Sequence, residues 1–265
     1  MSDGPAKMEE DGEAIANQRT LNETFRFWID PEIERRKTAG SLPAGFQLHA
    51  AQVILNVGAP TTTRINEEVR AVMLVSKKPD TAAKQKGDPI FWDEIQDVSE
   101  VQLTDLDPNA AHVTVIRIGA RWLLTFDFRY NAARVEAQVK AAEEFFDCAE
   151  NARVKGHVRA FMENLFAAAE LTAKARLMFL PDEKILKAKS HGFVATRTNQ
   201  DGKLGNVDQS FVELLNRLIR DRGAARYLHA PIEVTSDDMK VMADMLRANL
   251  DIVARSIPKR ANTSR

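Results

Sequence analysis

The hydrophobic pattern of this 265-residue chain changes once, at Asn131, and this change constrains the fold more than any other feature. Before Asn131, apolar residues form short runs or alternate with polar ones, which is typical of β-strands. After it, they recur at steps of three and four, which is typical of amphipathic helices. The sequence therefore predicts an α+β chain, with an N-terminal mainly antiparallel β domain followed by a C-terminal up-and-down four-helix bundle.

Strand-length runs fill the region from about 45 to 130. They are rich in β-branched and aromatic residues and are separated by turn sequences such as VGAP, KKPD, KGDP and DLDPN. The clearest runs are FQLHAAQVILNV, EEVRAVMLVSK, AHVTVIRIG and RWLLTFDFRY. Side chains alternate between the two faces of a strand, so Trp122, Leu124, Phe126 and Phe128 share one face, which we expect to meet the core.

Four long helical segments follow, at about 132–152, 156–180, 207–222 and 236–257. Thr235 or Ser236 is expected to cap the last helix, because its side-chain oxygen can accept hydrogen bonds from the first amides. The link from 181 to 206 contains SHGF and NQDGKLGN and is expected to be partly irregular. Four such helices can bury a common core as an up-and-down bundle.

Composition is that of a globular protein, with 44% apolar and 28% charged residues, and no run approaches the ~18 apolar residues of a membrane span. We expect a disordered tail at 1–20, domains at 21–131 and 132–257, and a flexible tail at 258–265. The N-terminal residues lack a signal-peptide pattern, which predicts a cytoplasmic location. The single cysteine, Cys148, rules out disulfides and cysteine-based zinc sites within one chain, and we expect it to be buried.

The two halves of the chain differ in the sign of their charge. Residues 1–150 hold 17 Lys and Arg against 25 Asp and Glu, a net charge of -8, whereas residues 151–265 hold 20 against 13, a net charge of +7. A basic segment attracts polyanions such as nucleic acid over long range. Attraction between the two halves is an equally good explanation.

An arginine-rich cluster beside a histidine ends the third long helix. Its members are Arg220, Arg222, Arg226, Tyr227 and His229. Histidine titrates near neutral pH and guanidinium groups bind phosphate through two hydrogen bonds, so the cluster suits phosphodiester chemistry. It also suits an ordinary solvated helix end, where the helix dipole favours cations. Tyr227 can either stack on a base or pack within the bundle.

The order of these segments resembles the HEPN family (higher eukaryotes and prokaryotes nucleotide-binding), a group of four-helix bundles. The resemblance covers about residues 132–257. It rests on the second helix, NLFAAAELTAKARLMFLP, on the Ser190–His191 pair in the link, and on a third helix that ends in AARYLH. RNase members of that family carry an arginine, four to six residues and a histidine, and Arg222, six residues and His229 fit this pattern at its upper limit.

The resemblance implies a metal-independent endoribonuclease without a cofactor, in which the ribose 2'-OH attacks the adjacent phosphorus. His229 would move protons, and Arg222, helped by Arg226, would stabilise the charge on the phosphoryl oxygens. Arg220 and Tyr227 would add contacts to RNA. The resemblance also implies a homodimer through the bundle, or pairing with a cognate protein partner, because many members face two motifs across one groove.

Two other functions stay open. In the first, an inactive bundle binds RNA, nucleotide or protein through its arginine-rich end. In the second, the acidic half restrains the basic half until a stimulus arrives, as expected of a toxin-like or antiviral RNase that must be kept inactive. A distinguishing feature is whether Arg222 or Arg226 is open or paired with a carboxylate. Glu163, Glu170 and Lys174 lie on the second helix, and Glu170 is expected to form a solvated or bundle-facing ion pair with Lys174, four residues later. The remaining histidines lack metal-ligand spacing and are expected to be surface or hydrogen-bonded residues: His49, His112, His157 and His191.

Overall fold

The computed structural model describes residues 18–188, 190–227 and 231–258, and for Trp92 and Glu100 it describes the backbone alone. The described chain divides into two compact units. The first holds residues 18–107 with Ala111–Phe128, and the second holds Pro108–Ala110 with residues 129–258. Strands lie in the first unit and helices dominate the second, so the predicted α+β class is confirmed. Most of the two predicted tails lies outside the described residues.

The first unit begins with a helical segment that covers a sheet. Residues 18–24 (α1) lead through a π-helical turn at Phe25–Ile29 into α2 (Asp30–Thr38). Pro31 lies in the first turn of α2, directly after the π-helical turn. Ile29 is fully buried in the core of this unit.

Antiparallel strands form two sheets in the first unit. The four-stranded sheet has the order β2-β1-β5-β6, and β3 pairs with β4 in a two-stranded sheet. The strands are β1 (Ala50–Leu55), β2 (Thr62–Ile65), β3 (Ala71–Lys77), β4 (Ile95–Leu103), β5 (Ala111–Ile118) and β6 (Arg121–Asp127). The sequence does not indicate β2 or β4, because TTRI is short and polar and IQDVSEVQL mixes acidic with apolar residues.

The core of the first unit lies on one face of the four-stranded sheet. Trp122 and Leu124 of β6 pack against it, as predicted. Phe126 lies opposite Val113 and therefore shares this face, yet it is 55% exposed, and Phe128 is similarly exposed. These two phenylalanines line a groove of about 400 Å³ at the rim of the sheet, beside Phe27.

The second unit is built around one central helix. Its helices are α3 (Ala132–Val154), α4 (Val158–Leu177), α5 (Glu183–Lys187), α6 (His191–Lys203), α7 (Gln209–Tyr227) and α8 (Ser236–Arg255). Helix α4 packs against α3, α6, α7 and α8. Gly156, with a positive φ of 67°, allows the tight turn between α3 and α4. Thr235 caps α8 and pairs with Asp238 in a capping box, in line with the sequence.

The predicted irregular link contains a 13-residue helix, α6. Val194 and Thr198 bury one side of it, and Gly202 lies so close to α7 that an added Cβ would be 2.7 Å from Cγ2 of Val212. This packing outweighs the weak helix propensity of the Asn- and Gly-containing sequence. The predicted burial of Cys148 on α3 is wrong, because it is exposed.

Asn131, where the sequence pattern changes, fixes the start of α3 against the end of α4. It has a left-handed backbone, with φ of 57°, and its side chain is almost fully buried. Its amide nitrogen donates to the carbonyl oxygen of Met178 at 2.8 Å, and Arg134 donates to its side-chain oxygen at 3.0 Å. Asparagine suits this position because it adopts the left-handed region more readily than most residues.

Candidate functional site

The C-terminal end of α7 is held firmly against α4. Phe211, Leu215 and Leu218 bury one side of α7, and the helix continues through Gly223 to Tyr227 instead of ending near residue 222. Arg159 of α4 donates hydrogen bonds to the carbonyl oxygens of Ala224 and Ala225. Such bonds satisfy carbonyls that the last helical turn leaves without partners.

Arg222 and Arg226 are one turn apart on α7 and face the same carboxylate on α4. Arg226 Nη2 donates to Glu163 Oε2 at 2.6 Å, whereas Arg222 Nε lies 3.8 Å from Glu163 Oε1. The hydrogen bond to Glu163 raises the pKa of Arg226, so this guanidinium stays charged. Arg226 is therefore firmly paired, and Arg222 has a longer ionic contact only.

Arg222 is positioned by an aromatic ring as well as by charge. Its guanidinium carbon lies 4.5 Å from the centroid of the Phe166 ring, and the side chain is 26% exposed. This distance is within the range of a cation–π contact. Within the described chain, Arg222 makes no hydrogen bond to another residue, so none of the described acceptors uses its N–H donors.

Glu163 is incompletely satisfied between the two arginines. Its Oε1 is buried from solvent and has no hydrogen-bond partner among the described residues, although Arg222 is near. A buried carboxylate oxygen without a hydrogen bond is unfavourable, so the charge of Arg222 is its main compensation.

The other members of the arginine-rich cluster are placed differently. Arg220 is 72% exposed and contacts Asp221 at 3.2 Å, on a different side of α7 from the Arg222–Arg226 pair. Tyr227 is 70% exposed, which leaves its ring available for stacking and does not fit packing within the bundle. His229, the predicted catalytic histidine, lies outside the described residues, two positions after the end of α7.

A second polar pair also lies next to Phe166. His191, the first residue of α6, contacts Glu170 of α4 through its Nδ1 and Glu170 Oε1. The His191 and Phe166 rings meet edge to face, with centroids 5.5 Å apart. The site therefore combines side chains from α4, α6 and α7 around one phenylalanine.

Sequence reasoning finds part of this site. The spacing of Arg222 and Arg226 is visible in the sequence. The expected ion pair between Glu170 and Lys174 is wrong, because Glu170 contacts His191 and Lys174 donates to the carbonyl oxygen of Ala188. The role of Phe166 is not visible, because a phenylalanine on the apolar side of an amphipathic helix looks like any core residue. The pairing of His191 with Glu170 is equally hidden, since it depends on how α6 packs against α4.

No protein-family model matches this chain, and no curated protein matches it. The resemblance to the HEPN family therefore stays a prediction.

Within the residues that the structure describes, no three His, Cys, Asp or Glu side chains are grouped so as to hold a metal ion. Also within these residues, no helix combines the length and the apolar character that a membrane crossing requires.

Proposed function

We propose that this protein is a metal-independent endoribonuclease whose reacting groups lie at the C-terminal end of α7. The observation that carries the proposal is the state of Arg222. Its guanidinium is held over Phe166, is charged, is partly exposed and has no hydrogen-bond acceptor within the described chain. An oriented guanidinium with free donors is well suited to a phosphate, which accepts two parallel N–H bonds from it.

In this mechanism RNA supplies its own nucleophile, the ribose 2'-OH. His229 takes the proton from this hydroxyl, and Arg222 stabilises the negative charge that gathers on the phosphoryl oxygens. Arg226 is one helical turn away and adds a second positive charge near the phosphate. The exposed ring of Tyr227 provides a surface for stacking of a neighbouring base. DNA is not a substrate, because it lacks the 2'-OH.

Glu163 sets the binding strength of this site. Its carboxylate competes with phosphate for both guanidinium groups, but it also holds the two arginine side chains in place before RNA arrives. Arg222 can take a phosphate with donors that no described residue uses, whereas Nη2 of Arg226 already donates to Glu163. We therefore assign the primary phosphate contact to Arg222 and an assisting role to Arg226.

A second candidate is an RNA-binding module that does not cleave. The firm contact of Arg226 with Glu163, at 2.6 Å, favours the binding module. An arginine whose charge is offset by a neighbouring carboxylate contributes less to stabilising a transition state. Binding of RNA through Arg222 would persist in such a module, and cleavage would be absent.

The test is cleavage of structured and single-stranded RNAs in EDTA by wild type, Arg222→Ala and His229→Ala. Arg247→Ala is a matched control, since Arg247 on α8 lies over the Phe146 ring at 4.2 Å and its removal causes a similar loss of packing and charge. Loss of cleavage by roughly 100-fold or more in the first two variants, and not in the control, supports the nuclease. RNA that is bound by wild type and never cleaved contradicts it and supports the binding module.

We further propose that two copies of the chain, or one copy and a cognate partner, form one RNA groove. If two copies share it, mixing Arg222→Ala with His229→Ala restores part of the activity, because the groove of the mixed dimer keeps one intact copy of each group. An active protein that stays monomeric in light scattering contradicts this arrangement.

A further inference from the structure

Strand β6 forms one edge of the four-stranded sheet, whose order is β2-β1-β5-β6. Its inner side pairs with β5 without interruption from Arg121 to Asp127. On its outer side, no backbone hydrogen bond joins any of these seven residues to another backbone group of the described chain. Such a row of N–H and C=O groups is a template on which another strand can pair. The edge of β6 is therefore a candidate contact surface.

The two edges of this sheet differ in how well they are protected. At the other edge, β2 has only four residues, and Arg64 on it is hydrogen-bonded to Asp105. β6 has seven residues, a length of roughly 20 Å, and its sequence RWLLTFD contains no proline. Its pairing with β5 has no bulge, and its charges lie only at its two ends, Arg121 and Asp127. Short strands, prolines, bulges and central charges discourage pairing at an edge, and β6 has none of these features.

Exposed apolar side chains lie on both faces of β6. Phe126 shares its face with Trp122 and Leu124 and is 55% exposed, and Leu123 on the opposite face is 37% exposed. Side chains that lie directly opposite each other in an antiparallel pair have Cβ atoms about 5 Å apart. A strand that pairs with β6 would therefore cover Phe126 and Leu123 at the same time.

The sequence of β6 is complementary to itself in the antiparallel direction. When Leu124 faces Leu124 of a second copy, Arg121 faces the second copy's Asp127, and Trp122 faces the second copy's Phe126. The two-fold axis repeats both contacts, so an ion pair forms at each end with an aromatic pair next to it. Opposite charges and aromatic side chains are both favourable across strands. A shift of the register by two residues removes both ion pairs, so the charges select this alignment.

We propose that two copies of this chain join through β6, so that their four-stranded sheets form one antiparallel sheet of eight strands. The two-fold axis passes between the two Leu124 residues. The same strand is used on both copies, so the contact closes at two copies and does not extend into a fibre. Pairing in this register adds about six to eight backbone hydrogen bonds between the copies. This inference concerns the first unit and does not depend on the proposed nuclease function.

The pairing is expected to be weak but measurable. Seven residues on each copy are fewer than the roughly 20 to 30 of a standard protein interface. We therefore expect a dissociation constant of about 1 to 100 µM, which sedimentation velocity measures with the full chain from about 1 to 300 µM. Over this range the wild type should change from one copy to two.

The experiment exchanges the charges at the ends of β6. Arg121→Asp and Asp127→Arg each place like charges opposite each other at both ends of the pair, so each variant alone should dimerise roughly 10-fold or more weakly than wild type. An equimolar mixture of the two variants has opposite charges at both ends again. Its mixed dimer should therefore recover an affinity within about threefold of wild type.

Two control variants test whether the effect belongs to β6. Arg117→Asp makes the same change of charge at an exposed position on the central strand β5, so it should leave the dimer unchanged. Leu74→Lys on β3 removes an exposed apolar side chain from the two-stranded sheet and should also leave it unchanged.

Three results would overturn the inference. The first is a wild type that stays a single copy up to the highest concentration. The second is a wild-type dimer that neither β6 variant weakens, or that Leu74→Lys weakens instead; such a dimer forms elsewhere and leaves the shared RNA groove proposed for the second unit standing. The third is a mixture of the two β6 variants that does not recover, because the single losses then come from a disturbed fold and not from paired charges.

Discussion

Replacement of Gly202 by alanine tests the packing of α6 against α7, which holds the second unit together beside the candidate site. A Cβ at this position would be 2.7 Å from Cγ2 of Val212, closer than two carbon atoms can approach without movement. Valine is buried here and stiff at χ1, so its methyl group cannot swing away. Gly192, at the other end of α6, is the matched control, since its Cβ would meet Ser190 Oγ at an ordinary 3.6 Å.

The magnitude follows from two opposing effects. Alanine in place of glycine favours a helix by up to about 1 kcal/mol, and overpacking of a close contact costs about 1 to 3 kcal/mol. We expect Gly202→Ala to lower the free energy of unfolding by up to about 2 kcal/mol, after the gain in helix propensity is subtracted. Gly192→Ala gains helix propensity and meets no close contact, so it should leave the free energy of unfolding unchanged or raise it slightly.

Urea unfolding followed by helical circular dichroism measures both effects. Val212→Ala provides a second check, because it removes the methyl group that the new Cβ would meet. The double variant should be more stable than the sum of the single losses predicts, with a coupling of about 1 kcal/mol or more. If Gly202→Ala is as stable as Gly192→Ala, or if Val212→Ala gives no rescue, the close approach of the two helices is refuted.

Three further predictions concern single polar side chains. Asn131→Ala should destabilise the protein by roughly 2 to 4 kcal/mol in urea unfolding, because the Met178 carbonyl loses its donor and alanine is strained at positive φ. Asn131→Gly should cost less, because glycine is not strained there, and equal losses in the two variants would show that backbone strain is unimportant. Hydrogen bonds from Arg35 and Arg36 lower the pKa of Glu32 to about 2, so the stabilisation from this carboxylate is present above pH 4.5 and is lost as the pH falls towards 2. Glu32→Gln should flatten this part of a stability-against-pH curve, and an unchanged curve would contradict the assignment. Glu163→Gln should tighten RNA binding by roughly two- to fivefold in fluorescence anisotropy, because the Glu163 carboxylate competes with phosphate at partly exposed arginines. Weaker binding by this variant would mean that Glu163 chiefly orients Arg222 and Arg226.

The sequence determines which half of the chain forms strands and which forms helices, because both patterns are local. Alternation is visible in β6, and steps of three and four are visible in α3, α4, α7 and α8. The capping box of α8 is equally local, since Thr235 and Asp238 are three residues apart. The sequence does not indicate α6, because its Asn and Gly residues have weak helix propensity and its stability comes from contacts with α4 and α7.

The candidate site divides in the same way. The sequence alone brings Arg222 and Arg226 to one side of a helix, since residues four apart share a helical face. The tertiary structure decides that Arg226 pairs firmly with Glu163, that Arg222 lies over Phe166, and that His191 packs edge to face against the same ring. These contacts join residues that are more than twenty positions apart in the chain, and the side chain that meets each of them depends on how α4, α6 and α7 pack. A local pattern carries no information about that packing, so the arrangement of the site is a property of the fold.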